Sequence, residues 1–411
     1  MKPMGPIPPE FAGDERLTIG GRDFSHWLDL AGDTPVFVYD MSVVEARIAR
    51  LLNALPGRVG VHYAIKANPF PPLVQAIAPL VGGLDVASAG EMDLALKRKQ
   101  PGAISFAGPG KRDAELEAAI TAGVTINLES EGEADRALAI GERLGVTPRL
   151  AVRVNPDFDL RGSGMKMGGR ASPFGVDAEH VPALVQRLCE AGADWRGFHI
   201  FAGSQALDSD AIAETQAATV ALAARLAEAA GRTPPLVNLG GGFGIPYFPG
   251  DTPIDVERIG AALGERLDAA PDILRTSEFA IELGRWLVGE SGVYLTRIVD
   301  RKESRGEVFL VVDGGLHHQL AASGNFGTVV RRNYPAAIAA KMAEEAQETV
   351  SVVGCLCTPL DRLADRVALP RADVGDVAAI FLAGAYGLTA SPTVFLGHPK
   401  PAELLANSGQ T

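Results

Sequence analysis

The chain has 411 residues, which is about two to three times the commonest domain length and leaves room for one large domain and a smaller one. Hydrophobic residues make up 47% and charged residues 21%, a composition too apolar for a disordered chain. The 38 Lys and Arg residues against 50 Asp and Glu give a formal net charge of −12, which disfavours capture of nucleic acid or of an anionic membrane.

The cysteine content and the N-terminal sequence indicate the cellular compartment of the protein. Cys189, Cys355 and Cys357 are too few, and odd in number, for a disulfide framework, which favours a reducing environment. The segment Met1–Phe11 has no apolar core of the kind found in signal peptides, and no apolar run is long enough for a membrane span. The sequence therefore predicts a cytoplasmic protein.

Eight short apolar segments rich in β-branched residues predict strands. They are Val61–Ile65, Leu84–Val86, Ile104–Phe106, Val124–Leu128, Leu150–Val154, Gly197–Phe201, Leu236–Leu239 and Phe279–Glu282. Stretches of helical period lie between them, including Ala114–Ala122, Glu131–Leu144, Val181–Ala191, Ala211–Ala230 and Ile259–Ala269. This alternation predicts a (β/α)8 TIM-type barrel over residues 36–283, with a doubly wound open sheet as the alternative.

The pattern changes beyond about Tyr294, where strand-like runs follow one another with little helix. Examples are Val308–Val312, Val350–Val353 and Ala379–Leu382. The predicted fold class is therefore α/β plus β, a barrel with a C-terminal mostly β domain over residues 284–411. Residues 1–35 are expected to form an N-terminal segment that packs on the β domain.

Ionisable or phosphate-compatible residues end five of the predicted barrel strands. They are Lys66, Asp85, Arg153, Gly240 and Glu282. A barrel places its active site at the carboxyl ends of its strands, so these residues are expected to converge on one pocket. Independently solvated loop residues are the alternative.

Lys66 directly follows the first predicted strand. A lysine held at the mouth of a barrel is partly desolvated, so we expect its pKa to fall and its amine to become a nucleophile able to form an imine with an aldehyde. A surface lysine at a strand end is the alternative.

A glycine run follows the seventh predicted strand at Gly240, Gly241 and Gly242. Consecutive glycines let backbone N–H groups approach a phosphate, although a tight turn explains the run equally well. The run matches neither a Walker A loop nor the dinucleotide fingerprint. Ser204 and the hydroxyl of Tyr386 are further candidate phosphate donors.

Glu282 ends the eighth predicted strand, and Arg285 follows closely. A carboxylate there would keep a pyridine nitrogen protonated and make the ring an electron sink, while an ion pair with Arg285 is the alternative. His199 and Phe201 share one strand face, so one or both are expected to pack on a planar ring or in the core.

Cys357 lies in the predicted β domain. Its thiol could donate a proton to a carbanion, or the residue could simply be a buried apolar cysteine. Cys355 and Cys357 lack a second ligand pair nearby in the sequence, so no metal site is expected.

Seven ordered segments give the chain a family resemblance. They are Tyr63–Pro69, Gly83–Glu91, Arg153–Pro156, Gly240–Gly242, Glu282–Arg285, the region of Cys357 and Gly384–Gly387. From about Pro35 to Leu405 the sequence resembles the pyridoxal phosphate-dependent fold-type III decarboxylases, the family of diaminopimelate, ornithine and arginine decarboxylases related to alanine racemase.

The resemblance implies a cofactor, pyridoxal 5'-phosphate, and a role for each matching residue. Lys66 forms the imine with the cofactor, Glu282 binds the pyridine nitrogen, and Asp85 and Arg153 lie near the Lys66 side of the ring. The phosphate is held by Gly240, Gly241, Gly242 and Tyr386. By resemblance the protein is a homodimer with shared active sites, in which Cys357 crosses to the partner subunit to protonate the product carbanion.

Three segments depart from the family pattern or narrow it. Phe201–Ser204 stands where the family has His-x-Gly-Ser, so Phe201 replaces the histidine. A phenyl ring can still stack on the cofactor ring, but it cannot transfer protons or form hydrogen bonds as an imidazole does. Cys357–Asp361 lacks the glutamate of diaminopimelate decarboxylases, which disfavours free meso-diaminopimelate. Residues 162–175 resemble family branches of which some act on carrier-tethered amino acids.

These expectations describe a pyridoxal phosphate-dependent decarboxylase that releases CO2 from an amino acid or amino-acid derivative, either free or on an acyl carrier protein. The expected substrate contacts are Arg285, Asp361 and Tyr386. A racemase is one alternative, but it would be expected to place an arginine rather than Glu282 at the ring nitrogen. A non-catalytic pyridoxal phosphate-binding regulatory protein is another, and retention of Lys66, Glu282 and Cys357 argues against it.

Overall fold

The computed structural model describes residues 1–162, 164–166, 169, 171–324 and 332–407. Part of the stretch 162–175, which bears on the carrier-protein prediction, therefore lies outside the described residues.

Eight parallel strands close into a barrel. They are Val59–Ala64, Gly83–Val86, Ile104–Phe106, Thr125–Leu128, Arg149–Asn155, Asp194–Ile200, Leu236–Gly241 and Glu278–Leu283. Each strand pairs with the next in sequence, and the last pairs with the first through Phe279 and Val59 to close the ring. The barrel prediction is confirmed, and the open sheet is excluded because its first and last strands would not pair.

The α-helices have the bounds Phe24–Ala31, Met41–Ala54, Pro71–Ile77, Ala89–Leu96, Asp113–Ala122, Glu131–Leu144, Val181–Glu190, Ser209–Ala230, Val256–Asp268 and Arg285–Val288. Their ends follow from capping chemistry. In Glu131–Leu144, the side chain of Ser130 accepts a hydrogen bond from the N–H of Glu133, and Gly145 ends the helix in a left-handed conformation. Within the described residues, none of the helices has both the length and the apolar character needed to span a bilayer.

A second sheet forms the C-terminal domain. Its strands are Val36–Asp40, Gly292–Ser304, Glu307–Val312, Ala336–Ile338, Glu348–Val353, Arg362–Leu369, Val377–Ile380 and Ala402–Ala406. The long strand Gly292–Ser304 joins its parts, pairing with Glu307–Val312, Val377–Ile380 and Val36–Asp40. Shorter strands lie at Thr18–Ile19, Arg22–Asp23, Met165–Lys166, Val176–Asp177 and Gly203–Ser204.

Val36–Asp40 corrects the sequence boundary that began the barrel at residue 36. All five residues of this strand are buried. The strand pairs antiparallel with Gly292–Ser304 and parallel with Ala402–Ala406, so it belongs to the C-terminal sheet. The physical reason is that the backbone N–H and C=O groups on both edges of the strand form hydrogen bonds within that sheet. The local sequence does not reveal these strand partners.

The first residues of the chain lie against the C-terminal sheet. The N–H of Lys2 donates to the carbonyl of Arg366 at 2.7 Å, and the N–H of Leu17 donates to the carbonyl of Ala339 at the same distance. The ring of Phe11 packs 5.9 Å from that of Phe381.

Candidate active site

A pocket opens at the carboxyl end of the barrel, where Tyr386 of the C-terminal domain meets the strand ends. Seven of the predicted site residues line it, namely Lys66, Phe201, Ser204, Gly242, Glu282, Arg285 and Tyr386. Of the five strand-end residues expected to converge, Lys66 and Glu282 line this pocket, whereas Asp85, Arg153 and Gly240 do not.

Lys66 enters the pocket from a short 3-10 turn, Ile65–Ala67, directly after the first barrel strand. Its Nζ lies 3.6 Å from Glu282 Oε1. It also lies 5.8 Å from the centre of the Phe201 ring. The two neighbours of Lys66 are buried, while its own side chain is 48% exposed through the pocket.

The expectation that the pKa of Lys66 falls is wrong. Burial lowers the pKa, but the charge of Glu282, assisted by Tyr386, outweighs burial, and the net pKa is raised. The amine is therefore held as an ammonium beside the carboxylate. Sequence position alone did not show that an opposite charge sits within contact distance.

Glu282 is a buried carboxylate with cationic neighbours. Besides Lys66, it accepts a hydrogen bond from His199 Nε2 at 2.8 Å. Burial raises the pKa of Glu282, but Lys66, His199 and Arg153 outweigh that effect and hold the pKa well below its usual range. The carboxylate consequently stays ionised inside the barrel mouth.

His199 and Phe201, which the sequence left as two candidates for ring packing, occupy different positions. Phe201 lines the pocket beside Lys66. His199 is 3% exposed and binds Glu282, so it orients the carboxylate. The alternation of side chains put both residues on one face, but the chain leaves the strand after Ile200 and turns Phe201 toward the pocket.

Arg285 does not form the ion pair with Glu282 that was one alternative. Its Nη1 donates to the hydroxyl of Tyr247 at 2.8 Å. Its guanidinium lies 4.6 Å from the centre of the Tyr386 ring. Burial lowers the pKa of Arg285, yet Tyr247 and Tyr386 raise it on balance. Among the described residues nothing pairs with the buried Nε, so this guanidinium can receive an anionic group at the pocket.

The three glycines do different things. Gly242 lines the pocket at φ +82, and an added Cβ would lie 2.3 Å from the carbonyl of Gly203. An added Cβ on Gly241 would lie 1.9 Å from the carbonyl of Glu282, so this glycine lets the seventh and eighth strands approach. The prediction that Gly240 offers its N–H to phosphate is not supported, because that N–H already donates to Asn238 Oδ1 at 2.9 Å.

Asp85 and Arg153 are buried and do not line the pocket. Arg153 donates to Glu129 Oε1 at 2.7 Å. Asp85 Oδ2 lies 3.5 Å from His62 Nδ1. For His62, burial lowers the pKa, but Asp85 and Glu282 outweigh it and raise the pKa.

Glu129 is a residue that the sequence prediction missed. It directly follows the fourth barrel strand and, besides Arg153, accepts N–H bonds from Gly108 and Gly175 at 2.6 and 2.8 Å. Burial raises the pKa of Glu129, but Arg153, Lys111 and the backbone hydrogen bond from Gly108 outweigh burial and lower the pKa. The same strand-end rule that singled out Lys66 would have found it.

Cys357 and Asp361 lie in the loop after Glu348–Val353, outside the pocket of their own chain. Cys357 is exposed. The predicted substrate contact by Asp361 is not supported, because this carboxylate is buried and accepts N–H bonds from Leu316 and Leu356 at 2.6 and 2.8 Å. Burial raises the pKa of Asp361, and these two hydrogen bonds oppose the shift.

Comparison with known proteins gives consistent matches along the chain. The family model described as pyridoxal-dependent decarboxylase, pyridoxal binding domain, matches residues 41–289. The chain is 36% identical over 384 residues to the L-glutamyl-[BtrI acyl-carrier protein] decarboxylase of Niallia circulans, covering 92% of this chain and 90% of that protein. It is 32% identical over 406 residues to the diaminopimelate decarboxylase of Methanothermobacter thermautotrophicus, covering 96% and 91%.

A solved structure shares the architecture. The crystal structure of diaminopimelate decarboxylase from M. jannaschii in complex with L-lysine superposes with a TM-score of 0.86 at 26% identity. The match covers 96% of this chain and 92% of that one, so both the barrel and the β domain are included.

Proposed function

The chain belongs to the pyridoxal-dependent decarboxylase family, and from this premise we propose that it removes CO2 from an amino acid attached to an acyl carrier protein. The family's activity is decarboxylation with pyridoxal phosphate. This activity excludes the racemase and the non-catalytic binding protein as interpretations. The carrier-bound substrate and the roles of individual residues are the parts proposed here.

One observation carries the choice of substrate. The relative from Niallia circulans, whose name states a carrier-bound L-glutamyl substrate, is similar along nearly the whole chain. The residue after Cys357 supports the choice. It is Thr358, whose neutral hydroxyl accepts a hydrogen bond from the N–H of Leu360 at 3.3 Å. The loop thus offers no carboxylate at this point to a distal ammonium such as that of free diaminopimelate.

The residues at the pocket fit pyridoxal phosphate. A primary amine, a buried ionised carboxylate and an aromatic face are provided by Lys66, Glu282 and Phe201. The same lining includes groups suited to a phosphate or a substrate carboxylate: Ser204, the turn at Gly242 and Arg285, whose Nε has no hydrogen-bond partner among the described residues. When bound, the cofactor supplies an electron sink for the electron pair left on Cα as CO2 departs.

Each side chain then has a defined task. Glu282 stays ionised and would hold a proton on the pyridine nitrogen, while His199 keeps that carboxylate oriented. Phe201, whose ring centre lies 5.8 Å from Lys66 Nζ, would offer an aromatic face to the cofactor ring, and Lys66 would anchor the cofactor and could move protons at Cα. Cys357 of the partner subunit returns the proton to Cα, which agrees with its exposed position away from the pocket of its own chain.

The proposal is tested by following CO2 release from the purified holoenzyme. The substrates are L-glutamate as a thioester on the phosphopantetheine of an acyl carrier protein, free L-glutamate and free meso-diaminopimelate. The expected result is a kcat/KM at least about 100-fold higher for the carrier-bound form, because binding energy from the carrier is used in the transition state.

The matched control is the same carrier with its attachment serine changed to alanine, mixed with free L-glutamate. Equal efficiency with a free amino acid, or with the carrier that cannot be loaded, would contradict a carrier-bound substrate. Turnover of free diaminopimelate alone would assign the chain the diaminopimelate decarboxylase activity that several relatives have.

A further inference from the structure

Three potential metal ligands meet in the C-terminal domain, outside the pocket described above. His317, Cys355 and His398 have ligand atoms that all lie within 4.8 Å of one another. They come from three separate segments: the turns after strands Glu307–Val312 and Glu348–Val353, and the segment before strand Ala402–Ala406. The fold, and not local sequence spacing, therefore assembles this cluster.

His317 is the unusual member because its ring is buried without a hydrogen-bond partner among the described residues. Its exposure is 0%, and within the part of the chain that the structure describes neither ring nitrogen has a hydrogen-bond partner. Leaving a buried polar atom unpaired costs about 1–3 kcal/mol, so such a ring needs an explanation. The neighbouring His318 needs none, because Tyr294 and the carbonyl of Pro399 each lie 3.0 Å from one of its nitrogens.

The surrounding contacts hold all three ligand segments in place. The carboxylate of Asp361 accepts the N–H groups of Leu316 and Leu356, which are the immediate neighbours of His317 and Cys355. His318 Nε2 donates to the carbonyl of Pro399, the residue after His398. The buried Asp361 is thereby explained as a support for the cluster, since outer hydrogen bonds of this kind orient metal ligands.

The distances approach those of a real coordination sphere. Cys355 Sγ lies 3.8 Å from His398 Nδ1. Two ligands of a tetrahedral zinc ion, one sulfur and one nitrogen, are separated by about 3.5 Å. A metal would draw the outermost pair of ligand atoms together by up to about 1.3 Å, which side-chain rotation can supply. Cys355 Sγ also lies 3.5 Å from the carbonyl oxygen of Asp313.

We propose that His317, Cys355 and His398 form a binding site for a divalent ion of the zinc type, with one coordination position left open. Two imidazoles and a thiolate are ligands that favour zinc and chemically similar ions over magnesium or calcium. The ion would tie together three loops and hold the segment that carries Cys357, two residues after Cys355. The site is independent of which substrate the enzyme takes.

Cobalt(II) is the probe, because a four-coordinate site containing sulfur gives intense ligand-field bands at longer wavelength than pyridoxal absorption. Chelator-treated holoenzyme is titrated with Co²⁺ and then with Zn²⁺. The expected result is one Co²⁺ per chain and bleaching of the bands when Zn²⁺ displaces it. The variants Cys355→Ser and His398→Ala should each lose about 100-fold or more in affinity, as expected for loss of a metal ligand.

Two variants serve as matched controls, Cys189→Ser and His180→Ala, which lie outside the cluster and should give the wild-type titration. His398 is only half-buried, so the circular dichroism of His398→Ala shows whether loss of the bands comes from a lost ligand or from a lost fold. Absence of a stoichiometric Co²⁺ complex in the wild type would overturn the proposal. So would a Cys355→Ser titration that superimposes on the wild type.

Discussion

At the scale of single residues, the pocket is governed by one buried negative charge. Glu282 contacts Lys66 at 3.6 Å on one oxygen and His199 at 2.8 Å on the other. An unpaired buried carboxylate would take up a proton, whereas these two neighbours keep it charged. In the proposed function this charge is required at the pyridine nitrogen, because a neutral group there would make the ring a weaker electron sink.

The variant Glu282→Gln should retain the cofactor and lose about 100-fold or more in kcat/KM, because ring protonation matters more for the carbanion than for the ground state. Cofactor content is measured by absorbance and turnover by CO2 release. Glu257→Gln is the matched control, since Glu257 pairs with Arg50 at the surface and should leave turnover unchanged. A wild-type kcat/KM for the Glu282→Gln variant would show that Glu282 does not have the proposed role.

At the scale of elements, the approach of the seventh and eighth barrel strands shapes the pocket. The pairing between them shifts register between Asn238 and Gly241, and Gly241 then lies opposite Glu282. A side chain at Gly241 would collide with the carbonyl of Glu282. The irregularity thus fixes where Glu282 projects, and the chain turns at Gly242 into the pocket lining.

We expect Gly241→Ala to lower the free energy of unfolding by about 1–3 kcal/mol, since the added methyl group forces the two strands apart. Cofactor affinity should fall as well, because the adjacent Gly242 lines the pocket and moves with its strand. The control is Gly132→Ala, a substitution within a helix where an added Cβ meets nothing within 4 Å and should stabilise by up to about 1 kcal/mol. Chemical denaturation measures both, and a wild-type midpoint for Gly241→Ala would contradict the close-approach argument.

At the scale of the whole molecule, the predicted proton donor and the predicted cofactor lysine are not together in one chain. Lys66 lines the pocket at the barrel mouth, whereas Cys357 is exposed on a loop of the C-terminal domain. The family resemblance implies that the two meet across a dimer interface. This arrangement stays a prediction, and it has a distinct consequence for mixtures of inactive variants.

Lys66→Ala and Cys357→Ala should each be impaired alone and should recover activity together when their subunits exchange. Random equal mixing makes half of the dimers heterodimers with one intact site, giving about a quarter of wild-type activity if the sites are independent. CO2 release is the measurement, after subtraction of the background from Cys357→Ala.

The control mixture combines Lys66→Ala with Glu282→Gln. Both residues line the same pocket of one chain, so every site in that heterodimer stays defective and no recovery is expected. A lack of recovery in the Lys66 and Cys357 mixture, with subunit exchange verified, would show that the two residues do not share a site across subunits.

The sequence by itself determined the barrel and two of the residues at its carboxyl end, Lys66 and Glu282. The eight apolar segments alternate with helical stretches, and each prediction overlaps its observed strand. The strand-end rule located Lys66 and Glu282 because the ends of parallel strands open on one side of a barrel, and this relation depends on local order along the chain.

Only the tertiary structure decided the arrangements that join distant segments. Val36–Asp40 belongs to the C-terminal sheet and not to the barrel. His199 is hydrogen-bonded to Glu282, whereas Phe201 lines the pocket. His317 and Cys355 likewise lie close together in space although they are far apart in the sequence. The physical reason is that periodicity and capping are local properties, whereas strand partners and side-chain clusters are chosen by long-range packing and by the pairing of buried polar groups.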